Sequence, residues 1–174
     1  MAPSSYQPPT RGDKAAATTR SQSVETNLSH TQTTVAKLME GKGDAVFSVR
    51  PNDTIHSVVD ILREKRIGAV VVTDQNGALQ GILSERDIVR RMAETPGQTL
   101  PQTVADLMTT EVKTCSPEDY LNDVLKTMTE GRFRHMPVLS DENLRGVITI
   151  GDVVHFRLKE LEYEALRMKQ MIVG

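Results

Sequence analysis

Gly81-Ile82-Leu83-Ser84-Glu85-Arg86-Asp87 and Gly146-Val147-Ile148-Thr149-Ile150-Gly151-Asp152 are one seven-residue element written twice, 65 positions apart. In each, an aliphatic run of the kind found in buried strands meets a hydroxyl residue three positions ahead of an acid, which is how many helices start. Outward from this element the repetition continues. Thr34-Val35-Ala36-Lys37-Leu38-Met39 returns as Thr103-Val104-Ala105-Asp106-Leu107-Met108, an offset of 69, and Pro51-Asn52-Asp53 returns as Pro117-Glu118-Asp119, an offset of 66. The offsets differ through short loop deletions. Two copies predict a closed pseudo-symmetric pair, because a solenoid needs at least three.

Each copy reads β-α-β-β-α. Ile55, Val58, Val59 and Leu62 fall at i, i+3, i+4, i+7, one face of a helix that Asp53 or Thr54 can cap. Ala69–Thr73 is a β-branched run, Asp74-Gln75-Asn76-Gly77 is turn chemistry, and Leu79–Leu83 is a second strand. Ser84 then opens a helix carrying Ile88, Val89 and Met92. In copy two the helix face is Leu121, Val124, Leu125 and Met128, the strands are Met136–Leu139 and Leu144–Ile148, the turn is 140–143, and Thr149 opens the last helix. Ala45–Val49 and Val112–Cys115 are expected to be short strands, and Gly41-Lys42-Gly43 a short loop.

This order, with the doubled Gly-h-h-[Ser/Thr]-x-x-Asp element after a strand and before a helix, resembles a tandem pair of CBS (cystathionine β-synthase) domains. The match runs over roughly residues 34–158. The resemblance implies an α+β module with a pseudo-two-fold axis and two crevices between the repeats. It also implies an adenosine-containing ligand, AMP, ADP, ATP or NAD, with no metal beyond a possible magnesium ion carried by the nucleotide. Such modules are non-catalytic regulators, and the resemblance further implies a homodimer and a regulated partner protein. The expected organisation is a disordered tail over 1–33, repeat one over 34–95, repeat two over 103–158, and a helical extension over 159–174.

Local physics agrees with an anionic ligand. Ser84 and Thr149 stand where a strand becomes a helix, and a helix N-terminus presents unpaired N–H groups and the positive end of its dipole. Asp87 and Asp152, three residues on, can accept hydrogen bonds from a ribose diol. The competing use of Ser-x-x-Asp is a capping box, in which the acid merely finishes the helix. Carried over from the family, the first crevice takes Ile82, Ser84 and Asp87 from copy one with Val112, Phe133 and Arg134 from copy two. The second takes Val147, Thr149 and Asp152 with Ala45, Val46, Ile67 and Gly68. In AMP-binding members basic residues near these positions touch phosphate. Arg134 and His135, with Arg86 beside the helix start, are therefore expected to do so in the first crevice. Their counterparts Gly68, Ala69 and Gly151 bring no charge, so the first crevice is expected to be the tighter phosphate site.

Composition narrows the remaining classes. The chain has 174 residues, a formal net charge of −2, one cysteine and no tryptophan. A single Cys115 excludes an intrachain disulfide framework and a multi-cysteine zinc site, and it lacks the base and orienter of a catalytic thiol. The near-neutral balance gives no field for nucleic acid or anionic lipid. No apolar run approaches a membrane span of about 18 residues. His30, His56, His135 and His155 show no metal-ligand spacing. Residues 1–33 hold only Val24 and Leu28 as aliphatic side chains larger than alanine after Met1, too little to offset ordering entropy. As a mitochondrial transit peptide this segment has Arg11, Lys14 and Arg20 in its favour and Asp13 and Glu25 against it, so a cytoplasmic location is expected. Past the second repeat, Val154, Leu158, Leu161, Ala165, Met168 and Ile172 make an a/d stripe, open to packing on the module itself or to closing a dimer.

Overall fold

The computed structural model describes residues 33–43 and 45–173. All but Thr33 of the expected tail, and His30 with it, lie outside these residues. Repeat one builds α1 (Val35–Lys42), β1 (Ser48–Val49), α2 (Ile55–Lys65), β2 (Ala69–Thr73), β3 (Leu79–Ser84) and α3 (Glu85–Glu94). Repeat two builds α4 (Val104–Leu107), α5 (Leu121–Gly131), β4 (His135–Ser140), β5 (Asn143–Thr149) and α6 (Ile150–Val173). The mixed α+β architecture is the expected one. β2 and β3 pair antiparallel with β1 parallel beside β2, and β4 and β5 pair antiparallel. The turns follow their chemistry. Asp74 accepts from the Asn76 and Ala78 amides through one side-chain oxygen, at 2.8 and 2.9 Å. Asp141 and Glu142 both take positive φ, 49° and 62°, the pair of left-handed residues that a tight type I′ hairpin needs.

The short helices α1 and α4 are exchanged between the repeats. Val35 and Leu38 of α1 lie in the core of repeat two with Leu121, Val124, Met128, Met136, Val138 and Ile148. Val104 of α4 lies in the core of repeat one with Ile55, Val58, Leu62, Val70, Val72 and Leu83. Matched backbone bonds hold both exchanges. The Val35 and Ala36 amides donate to Asp119 and Pro117 carbonyls at 2.9 and 2.8 Å, and the Val104 and Ala105 amides donate to Asp53 and Pro51 at 2.8 and 2.9 Å. The first N–H groups of a helix have no partner within it, and here the Pro-x-Asp turn of the other repeat supplies one. That is why the Pro-x-Asp and Thr-Val-Ala-x-Leu-Met elements both recur.

Four local expectations are corrected. Ala45–Val49 narrows to Ser48–Val49, and Val112–Cys115 is not a strand but a single bridge from Cys115 to Val138. The physical cause of the second is Pro137. At the matching position the Val71 amide donates to the Phe47 carbonyl at 3.2 Å, and proline has no N–H to give. The supposed loop 41–43 is helix as far as Lys42, ended by Gly43 at φ 79°. Finally, of the expected face Ile88, Val89 and Met92, only Ile88 is buried; Val89 is 63% exposed.

Two glycines are required by this packing. A Cβ on Gly81 would stand 2.9 Å from both the Thr109 carbonyl oxygen and the Met108 sulfur, and one on Gly146 would collide with the Met39 methyl. Met39 within α1 and Met108 just past α4 are thus each laid over the opposite repeat's glycine.

Candidate functional site

The first crevice is a cavity of about 290 Å³ between the repeats, close to the lower end of small-molecule sites, which run from about 300 to 1,000 Å³. One wall is Ile82, Ser84, Arg86 and Asp87, where β3 becomes α3. The other is Val112 and the run Phe133-Arg134-His135, where α5 ends and β4 begins. Every residue the sequence assigns to this crevice lines it. The turn before β4 comes from Arg132, a left-handed C-cap at φ 56° whose N–H closes back on α5. Arg66 does the same at φ 53° in repeat one.

Asp87 finishes α3 as a capping box. Its Oδ2 accepts from the Ser84 amide at 3.0 Å and the Ser84 hydroxyl at 2.5 Å, and the Ser84 oxygen accepts from the Asp87 amide at 3.4 Å. Both incoming bonds fall on Oδ2, so Oδ1 is the oxygen left for a ligand. Capping and ligand binding are therefore compatible uses of one carboxylate.

Cations outnumber acids around the cavity. Arg86, Arg90, Lys113, Arg132 and Arg134 line it against Glu85, Asp87 and Glu111. Arg90, Lys113 and Arg132 escaped the sequence reading. Arg90 lies one helical turn past Arg86 and carried that signal in its i, i+4 spacing. Lys113 carried none, because a disrupted strand delivers it. Arg86 spans the crevice, donating to the Arg132 carbonyl of the other repeat at 3.1 Å. His135 lies against Gly68, where an added Cβ would sit 3.2 Å from its Cε1. Burial holds the His135 imidazole below its ordinary pKa, with Lys42 and Arg134 acting in the same direction against Glu85 and Asp152. The unliganded His135 is thus a neutral donor or acceptor near neutral pH, and the arginines carry the positive charge.

The second set is less well gathered. Thr149 and Asp152 repeat the cap, with Asp152 Oδ2 accepting from the Thr149 amide at 2.7 Å and hydroxyl at 2.8 Å. Lys42 joins them, donating to Asp152 Oδ2 and, at 2.7 Å, to the Val147 carbonyl. Ile67 packs on the core of repeat one, Ala45 is exposed, and Val46 faces another hollow with Met39 and Arg145. Gly68, assigned to this crevice, lines the first one instead, because His135 reaches over to it.

A CBS domain family model matches residues 33–94 and 104–159. The chain belongs to the CBS domain family. This CBS pair is 32% identical over 150 residues to the mitochondrial CBS domain-containing protein CBSX3 of Arabidopsis thaliana, covering 82% of this chain and 73% of that protein. A CBS-domain-containing protein of Agrobacterium tumefaciens has the same fold at TM-score 0.70 and 41% identity, over 72% of this chain and 99% of that one. The CBS domain pair of protein MJ0100, solved with 5′-methylthioadenosine and S-adenosyl-L-methionine, superposes at TM-score 0.66 and 22% identity, over 74% and 98% of the chains. Among the described residues no helix is long and apolar enough to cross a membrane.

Proposed function

We propose that this CBS pair is a non-catalytic regulatory module that binds a phosphate-bearing adenine nucleotide, AMP, ADP, ATP or NAD, in the first crevice. The carrying observation is the meeting, in one cavity, of Asp87 from repeat one with Arg134 from repeat two, among five cations and three acids. The carboxylate suits a ribose diol and the arginine forks suit phosphate. Ile82, Val112 and Phe133 offer apolar surface for a purine. The ligands of protein MJ0100 share the adenosine half. The cationic lining favours the phosphate-bearing members of that class over a sulfonium ligand.

Occupancy acts by population shift, since a ligand touching both repeats favours the arrangement in which both walls are in reach. The output is a partner protein or a second copy of the chain. Val89 and Met92 on α3, and Leu158, Leu161, Met168 and Ile172 on α6, leave apolar side chains in water, which supports a homodimer closed along one or both of these helices.

Isothermal titration with AMP, ATP and NAD, beside S-adenosylmethionine, tests the reading. Heat with the nucleotides and its loss in Asp87→Ala are expected; no heat with any of them defeats it. The complete cap at Ser84 and Asp87 favours one other reading, an interaction adaptor with vestigial crevices. It predicts that Asp87→Ala lowers the melting temperature while no nucleotide raises it.

A further inference from the structure

Between Met39 and Pro51 the first repeat has 11 residues, and between Met108 and Pro117 the second has eight. The extra three lengthen the exchanged helix, so α1 has eight residues where α4 has four. The added turn ends in Lys42, and its ammonium reaches the second hydroxyl-x-x-Asp element, at the end of β5. There Lys42 Nζ donates to the Val147 carbonyl at 2.7 Å and to Asp152 Oδ2. In the first crevice the matching carbonyl, Ile82, accepts the Thr109 backbone amide at 2.9 Å, and among the described residues only Ser84 donates to the Asp87 carboxylate. The carboxylate that faces a cavity in one half of the pair is thus covered by a cation in the other. Both side chains are partly shielded from water, 30% and 28% exposed. Burial alone would raise the Asp152 pKa, and bonds from Lys42 and Thr149 outweigh it and hold the carboxyl below its ordinary value.

We infer that Lys42 is the resident occupant of the second crevice, standing where a ligand's sugar hydroxyls would bind, so that each chain takes up a single nucleotide in the first crevice. The inference rests on the proposed function. A ligand entering beside Asp152 must first displace a charge-assisted bond, a cost absent beside Asp87. Gly151 and Gly68 offer no replacement cation or anion for either partner.

The test is a pair of measurements on the wild type and Lys42→Met, which keeps the apolar stem and removes the charge. Titrated with ATP in a calorimeter, the wild type is expected to take up one equivalent per chain and Lys42→Met two, the second lost again in Lys42→Met/Asp152→Ala. Carbon-13 NMR of the carboxylates is expected to show the Asp152 titration midpoint moving up in Lys42→Met. Two equivalents in the wild type, one in Lys42→Met, or an unmoved Asp152 midpoint each overturn the inference and leave the nucleotide reading standing. No uptake by either protein overturns both.

Discussion

Replacing Asp87 separates the two uses of its carboxylate. Oδ2 holds the Ser84 amide and hydroxyl, so Asp87→Ala removes both of these bonds from the start of α3. The residue is only half buried, so the loss is the size of a helix cap, about 1–2 kcal/mol. For a domain of this size that lowers the melting temperature by roughly 2–8 °C. Affinity responds on a different scale. A hydroxyl bonded to a carboxylate contributes about 1.5–3 kcal/mol, so losing one such bond weakens nucleotide binding about 10- to 150-fold. Asp87→Asn sharpens the contrast. Its carbonyl can replace Oδ2 in the cap while its amide replaces Oδ1, so it should melt near the wild type and still bind poorly. Asp106 supplies the control, because its Oδ2 accepts from the Thr103 amide and hydroxyl at 2.9 and 2.7 Å in the same capping pattern, outside the crevice. Asp106→Ala should leave the dissociation constant for ATP unchanged. Calorimetry and thermal melts on the three variants decide the matter. An Asp87→Ala protein that melts lower yet binds ATP as tightly as the wild type would refute the ribose role and leave Asp87 a cap.

Gly81→Ala should cost about 1–3 kcal/mol in urea denaturation, because the Thr109 carbonyl facing its new Cβ at 2.9 Å is backbone. Gly146→Ala should cost less, since only the flexible end of Met39 must move. Leu38→Ala should destabilise by about 2–5 kcal/mol although it lies in repeat one, because its side chain, 4% exposed, fills the core of repeat two. Burial, helped by Asp119, pushes the Cys115 thiol up from 9.0 to about 12. Native protein should therefore resist thiol reagents that label it fully in denaturant. The associated stability is complete below the unfolded value and is lost as pH rises through about 9 towards about 12. His135 has the opposite sign: its folded pKa lies below 6.5, so the unfolded chain binds more protons in that window. Stability should be complete above 6.5 and fall as pH drops through the folded value, with a shallower fall in His135→Gln measured by urea melts.

Helices and paired strands were legible because period and turn chemistry are local. Leu121, Val124 and Met128 are buried as their spacing requires, and the Asp74–Gly77 turn forms where its residues predict it. The doubled [Ser/Thr]-x-x-Asp element marks both helix starts, and the lining of the first crevice followed from the family resemblance that this element carries. What the sequence hid depends on distant partners. Nothing in Thr34–Met39 says that its helix is buried in the other repeat, since an amphipathic turn reads alike against either core. Pro137 ends a strand it does not belong to, 22 residues from Cys115. Lys42 reaches a carboxylate 110 positions away, through a three-residue insertion that looks like a plain glycine loop.

The exchanged helices bear on how occupancy can be read out. Two repeats that met only at a crevice would swing about a single seam, and a ligand would change little beyond it. Here α1 and α4 are each buried in the opposite core and bonded to its Pro-x-Asp turn, so the repeats shift only together with those helices. The ligand's end of the lever is short. α3 carries Asp87 in its first turn, in the cavity wall, and within about two turns presents Val89 and Met92 to water. At 1.5 Å per residue, Met92 lies about 8 Å along the axis from Asp87. If another chain docks on these side chains, as proposed, a change in the seating of the α3 N-terminus changes what it meets, with no further relay needed. α6 carries Asp152 in its first turn in the same way, with Leu158, Leu161, Met168 and Ile172 exposed further along it. If Lys42 already holds its N-terminus, α6 is the helix that stays fixed and α3 the one that responds. Nucleotide should then alter amide exchange in α3 far more than in the first turns of α6, and equal changes in both would count against a single responsive crevice.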